Sequence, residues 1–264
     1  MDIKAGQIPA SPYAWPHDAS FSRETTALVI IDMQRDCTPP LPDHPLLPSH
    51  QITIHHHKTN TPSSPVCSPS GYLSQQNYPL APILATIPRI RTLLHAFRAA
   101  RHQVYHTREG HRPDLSTLSS REAFRSHHVP SSLGIGSPGP LGRLLVRGEP
   151  GHDIIPELYP VESEPVIDKP GRGAFAHTDF ELLLRVRGIR NLVVAGVTTD
   201  VCVGSTMRKA NDRGFDCLLV EDGTQAVEKG LRDATCRSVR MEGGIFGAVG
   251  RVEDVVRMLE GGVG

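Results

Sequence analysis

Three side chains able to support acyl-transfer chemistry stand at or just beyond the ends of short apolar runs. Asp32 follows Ala27–Ile31, Lys169 ends Pro165–Lys169, and Cys202 comes shortly after Leu192–Ala195. The stretch from Asn191 to Arg208, NLVVAGVTTDVCVGSTMR, reads as a strand, a tight turn and a cysteine at the start of a helix. Free amide hydrogens and the positive dipole end of a helix favour a thiolate there. They also stabilise an oxyanion that forms beside it. Cys202 therefore reads as a nucleophile able to attack a carbonyl. Each residue also has a plain structural explanation. Cysteine is among the most buried residue types, an aspartate after a strand commonly caps a turn, and a lysine before Pro170-Gly171 suits a solvated turn. The residue types alone leave both readings open.

The elements that must position these residues follow from hydrophobic patterning. Ala27–Ile31 is a continuous apolar run, as expected for a parallel strand covered on both faces. Further strands are expected at 103–107, 165–169, 191–195, 216–221 and 244–248. Between and after them, helices are expected at 80–101 (kinked at Pro88), 179–187, 202–213, 229–240 and 252–259. Alternating strands and helices predict an α/β fold: a six-stranded, mostly parallel sheet with helices on both faces. In such sheets ligands sit beyond the carboxyl ends of the strands, where Asp32 and Lys169 fall. Residues 109 to 160, rich in Gly, Pro, Ser and His, read as a long excursion facing that edge.

Composition narrows the function classes. In 264 residues, Lys+Arg 28 balances Asp+Glu 28, so no electrostatic footprint for nucleic acid or an anionic membrane is present. The apolar runs are too short to span a bilayer, and the first residues lack the apolar core of a secretory signal. Five scattered cysteines suggest reduced thiols and a cytoplasmic setting. One domain spanning 1–264 is expected, with a Pro-rich arm over residues 1 to 25. Residues 38 to 66, dense in Pro, Ser, Thr and His, interrupt the pattern as an irregular insertion. His55–His57 within it lack the spaced partners of a metal site. Codon degeneracy permits splice-site strings at both ends of the insertion. It can thus be read as a translated intron whose removal joins Asp36 to Cys67 through a phenylalanine.

The segments ALVIIDMQRD (27–36), VIDKPGRGAF (166–175) and AGVTTDVCVGSTMRKANDRG (195–214) resemble the isochorismatase-like cysteine hydrolases. The resemblance covers nearly the whole chain apart from 38–66. It implies a three-layer Rossmann-like fold and a catalytic triad of Asp32, Lys169 and Cys202. It also implies a cis peptide before Thr198, and an oxyanion hole from the amides of Thr198 and Cys202. PYAWPHD (12–18), HTREGHRPDL (106–115), RGEPGHDIIPELYP (147–160) and MEGGIFGAVG (241–250) look like the biuret and ureidoacrylate amidohydrolase branch. The activity so implied is cysteine-dependent hydrolysis of a small amide or ureide, with no cofactor and no metal. The family resemblance also implies a homo-oligomer.

Arg108, Glu109, His111 and Arg172 are candidate substrate contacts. Glu242 is another, standing where biuret hydrolases carry a glutamine. A carboxylate only accepts hydrogen bonds, so this departure points to a different preferred ureide. Isochorismatases acting on a vinyl ether lack the cysteine, and Cys202 argues against that activity. A binding-only form blocked by the insertion remains the third reading.

Overall fold

The computed structural model describes residues 3–37 and 71–261. The expected insertion and the His55–His57 run therefore lie outside the described residues. In chain order the elements are β1 (Thr26–Ile31), α1 (Tyr72–Gln75), α2 (Ala81–Leu84), α3 (Ile87–Ala99), β2 (Gln103–Glu109), α4 (Ser120–His127), β3 (Pro138–Gly139) and β4 (Gly142–Arg143). They continue with β5 (Val166–Lys169), α5 (Phe180–Val186), β6 (Asn191–Val197), α6 (Gly204–Asn211), β7 (Asp216–Gln225), α7 (Leu231–Arg240), β8 (Ala248–Gly250) and α8 (Val252–Gly261).

β1 and β6 consist of residues buried on both faces, which is why their sequences show no polar alternation. They form the centre of a six-stranded sheet ordered β5-β2-β1-β6-β7-β8. Every neighbouring pair in it is parallel. Successive side chains alternate between two cores, as the pleat requires. Leu28, Ile30, Val104, Val193 and Leu218 face one core, which Ile87, Ile90, Leu94 and Phe97 of α3 and Val255 and Leu259 of α8 complete. Ala27, Val29, Tyr105, Leu192 and Leu219 face the other, closed by Phe180 and Leu184 of α5, Met207 of α6 and Val239 of α7. Each buried Val, Leu, Ile, Phe or Met among them contributes roughly 1.5–3 kcal/mol by leaving water. These layers give the α/β architecture with helices on both faces.

Several boundaries differ from those expected. The helix expected over 80–101 is two helices, because Pro88 occupies the first turn of α3, where its missing N–H costs nothing, and so starts a helix instead of kinking one. The last strand begins at Ala248, not at residue 244; Gly244 and Gly247 before it hold left-handed backbone (φ 104° and 119°). β7 runs on to Gln225, past the expected end at residue 221. Within the 109–160 excursion lie α4 and the short antiparallel pair β3–β4. The N-terminal arm is fastened to the body. Ile8 and Trp15 are fully buried and bridge each other, Ser11 bridges to Val249, and Tyr13 Oη donates to Asp216 at 2.8 Å.

Candidate active site

β1, β2, β5 and β6 deliver the chemistry to their shared carboxyl edge. Asp32 follows β1 with left-handed backbone (φ 50°), a conformation aspartate tolerates better than most residues and one that clusters at functional sites. Its Oδ1 accepts from Thr107 Oγ1 of β2 at 2.6 Å, and its Oδ2 lies 2.7 Å from Lys169 Nζ at the end of β5. The lysine is completely buried and also donates to the Gly171 carbonyl at 2.9 Å. Burial works against its charge, yet Asp32, Cys202 and Glu109 outweigh burial and hold the ammonium well above its ordinary range.

Cys202 reaches the same point from β6. The Val197–Thr198 peptide is cis. A turn of π-helix, Thr199–Val203, then precedes α6, so the cysteine lies in that turn and not at the start of the α-helix expected from residue 202. The Thr198 carbonyl accepts from both Val201 N and Val203 N, at 3.2 and 3.1 Å, which widens the turn. Such π-turns recur at functional sites. Gly196, at φ 109°, is required by close packing, because a Cβ there would run into the Ile31 backbone of β1. Thr206 Oγ1 donates to the Cys202 carbonyl at 2.8 Å and accepts from Ala174 N at 3.1 Å, tying the turn to the loop after β5.

Cys202 Sγ, an Asp32 oxygen and a Glu109 oxygen lie within 4.8 Å of one another. Sγ donates to Glu109 Oε2 at 3.4 Å. The Glu109 carboxylate also faces Lys169 Nζ at 3.5 Å and is bonded by Arg172 Nη1. Its burial resists ionisation, but Lys169 and Arg172 overcome that and hold it below the usual carboxylate range. The Cys202 thiol is pushed well up by burial; Lys169 pulls it down, and Asp32 and Glu109 raise it again. Burial thus favours the neutral thiol, while the Lys169 ammonium favours its charged form. Among the described residues no other group of His, Cys, Asp and Glu has the spacing of metal ligands. In this one the Lys169 ammonium already sits against both carboxylates.

A cavity of about 190 Å3 opens on this cluster. Asp32, Glu109, Arg172, Thr198 and Cys202 line it, with Tyr72, Gln76, Tyr78 and Arg125 supplying further polar groups and Cys37 at one side. The Thr198 N–H, at the edge of this cavity, donates to no group among the described residues. Arg172 continues outward by pairing with Glu122 of α4, which Arg125 holds at 2.6 Å. Beyond them lies a second cavity of about 500 Å3, lined by His111, Arg121, Glu122 and His177 and sharing Arg125 and Arg172.

The structure thus brings Asp32, Lys169, Cys202, Thr198, Glu109 and Arg172 together. His111 faces the outer cavity, with Nδ1 3.2 Å from Thr117 Oγ1. Arg108 is elsewhere. It follows Thr107 and precedes Glu109 on β2, so the pleat turns it to the opposite face, where it pairs with Asp168 at 2.8 Å and Asp153 at 3.4 Å. Glu242 is exposed, in a turn after α7, and lines neither cavity. Thr107, Tyr72, Gln76 and Arg125 join the site without having been singled out. Only Thr107 carried a signal, since it lies one strand alternation before Glu109.

The isochorismatase domain profile matches residues 26–254, and the chain belongs to that family. Ureidoacrylate amidohydrolase RutB of Azorhizobium caulinodans is 28% identical over 246 residues, covering 92% of this chain and 94% of that protein. The protein of the same name from Rhizobium rhizogenes is 30% identical over 187 residues, 70% of this chain and 74% of the relative. Among solved structures, a cysteine hydrolase from Pseudomonas syringae pv. phaseolicola superposes with TM-score 0.66 at 19% identity, covering 97% of each chain. An isochorismatase family protein from Desulfovibrio vulgaris gives 0.62 at 25% identity, covering 89% of this chain and 98% of its own.

Proposed function

We propose that this protein is a cysteine-dependent amidohydrolase that cleaves a C–N bond of a small ureide, such as biuret or ureidoacrylate, through a thioester. The carrying observation is the convergence of Cys202 Sγ with a buried Asp32 whose second oxygen is 2.7 Å from Lys169 Nζ. The similarity to ureidoacrylate amidohydrolases supports the substrate class. Asp32 takes the thiol proton, and Lys169 offsets the negative charge left on sulfur. The thiolate attacks the carbonyl carbon, and the amides of Thr198 and Cys202 receive the oxyanion. Asp32 returns the proton to the departing amine, and water then hydrolyses the thioester with the same groups in reversed roles.

Cys37 lines the cavity, and the chain from Gly71 onward packs against Asp36 beside it. The Leu73 N–H donates to the Asp36 carbonyl at 3.0 Å, and Gly71 packs against the Asp36 backbone. We infer that the protein folds and acts without residues 38–66. The test is ammonia release from biuret and ureidoacrylate by this chain and by a shortened chain with a single Phe in place of residues 37 to 66, each with its Cys202→Ala control. Release by the shortened chain that depends on Cys202 is the expected result. Release that survives Cys202→Ala, or none from either chain, overturns the proposal. No transmembrane-length apolar helix occurs among the described residues.

A further inference from the structure

We propose that Glu109 determines specificity at this site: its carboxylate accepts the N–H of the scissile ureido group and so selects C–N over C–O bonds. This rests on the amidohydrolase reading above.

Glu109 is held more firmly than a casual pocket-lining residue. Gln34 clamps its backbone from both sides, accepting from Glu109 N at 2.7 Å and donating to Glu109 O at 3.0 Å. Lys169 and Arg172 fix the carboxylate, which is 5% exposed. An ionised carboxylate accepts hydrogen bonds and donates none. Substituents of a carbon under attack by Sγ come within about 3–3.5 Å of the sulfur. Glu109 Oε2 stands 3.4 Å from that sulfur and lines the same cavity, where a group bound beside the sulfur can meet it.

In the resting site the thiol itself donates to Glu109. Once its proton has moved to Asp32, Oε2 loses that donor inside a buried pocket. Asp32 is committed elsewhere, to Thr107 at 2.6 Å and Lys169 at 2.7 Å. The N–H of an amide or ureide replaces the lost donor. The oxygen of an ester presents lone pairs to a carboxylate instead, and pockets built to bind an N–H reject analogues that lack it.

The test compares biuret with methyl allophanate, in which OCH3 replaces one terminal NH2, read as ammonia and methanol release. In Glu109→Gln, Arg172 and Lys169 claim the side-chain oxygen and turn its NH2 toward the substrate. The expected result is a fall of about 100-fold or more in kcat/KM for ammonia release from biuret. Methanol release should change less than about tenfold, so the selectivity ratio moves toward the ester. Glu109→Asp, which keeps the charge but withdraws it by one methylene, shifts the ratio in the same direction and settles the question if the Gln variant does not fold. A parallel loss on both substrates, or an unchanged ratio, overturns the inference while leaving the hydrolase reading intact. No ammonia from biuret or ureidoacrylate with either the full chain or the shortened chain overturns both.

Discussion

β2 feeds two buried charge clusters of opposite character. On one face Thr107 and Glu109 join Asp32, Lys169 and Cys202. On the same strand His106 meets Glu164, Nε2 to Oε2 at 3.0 Å, and Arg98 of α3 grips both oxygens of that glutamate at 2.7 Å each. Each cluster contains a carboxylate held below its usual range against the cost of burial. Perturbed ionisation therefore does not by itself mark a catalytic centre. What separates them is a thiol and a cavity. Arg98, His106 and the Val161 N–H complete the bonding of Glu164, whereas the partners around Glu109 include the sulfur of Cys202.

The sharpest way to break the comparison is to remove one member of each cluster. Cys202→Ala should lower turnover by at least about 1,000-fold with little change in Tm, whereas Glu164→Gln should leave kcat/KM within a few-fold of wild type. Lys169→Met should damage both properties. It leaves the Asp32 and Glu109 carboxylates buried with reduced compensation, a loss of about 3–5 kcal/mol in denaturant unfolding as well as of activity.

Glu164→Gln should cost roughly 1–3 kcal/mol at neutral pH, by weakening the Arg98 pair. Its pH dependence has a definite sign. Burial opposes the Glu164 charge, but Arg98 and His106 lower its pKa to about 2. The stabilisation is therefore present above the ordinary glutamate range and is lost as pH falls toward about 2. Acid titration of the two proteins should show their stability difference shrinking between about pH 4.5 and 2; a gap that widens on acidification would contradict this account. The smallest loss of stability is expected for Thr107→Val, which removes the hydroxyl orienting Asp32. About tenfold in kcat and about 1 kcal/mol in stability are predicted, measured by steady-state kinetics and thermal unfolding.

That Asp32, Lys169 and Cys202 stand at one edge of the sheet was legible because each lies at or just past a strand, and an open parallel sheet exposes its ligands there. Their convergence needed only the strand order. Arg108 was misplaced for a reason that the same periodicity contains. Neighbours on a strand point to opposite faces, so Arg108 and Glu109 do not share one site. Tyr72, Gln76 and Arg125 gave no spacing signal, since they come from short helices in irregular stretches whose position depends on tertiary contacts such as Arg172–Glu122. Glu242 was singled out by a residue type at a matched position; its left-handed turn (φ 51°), which puts it at the surface, was not readable from that match.

The central claim is that Cys202 carries the acyl group. Rapid acid quench of the protein turning over biuret or ureidoacrylate, followed by peptide mass spectrometry, tests it directly. A thioester is expected on the peptide containing Cys202, absent from Cys202→Ala and from the peptides containing Cys217 and Cys236. Steady turnover with no adduct on Cys202, and undiminished turnover in Cys202→Ala, would contradict it.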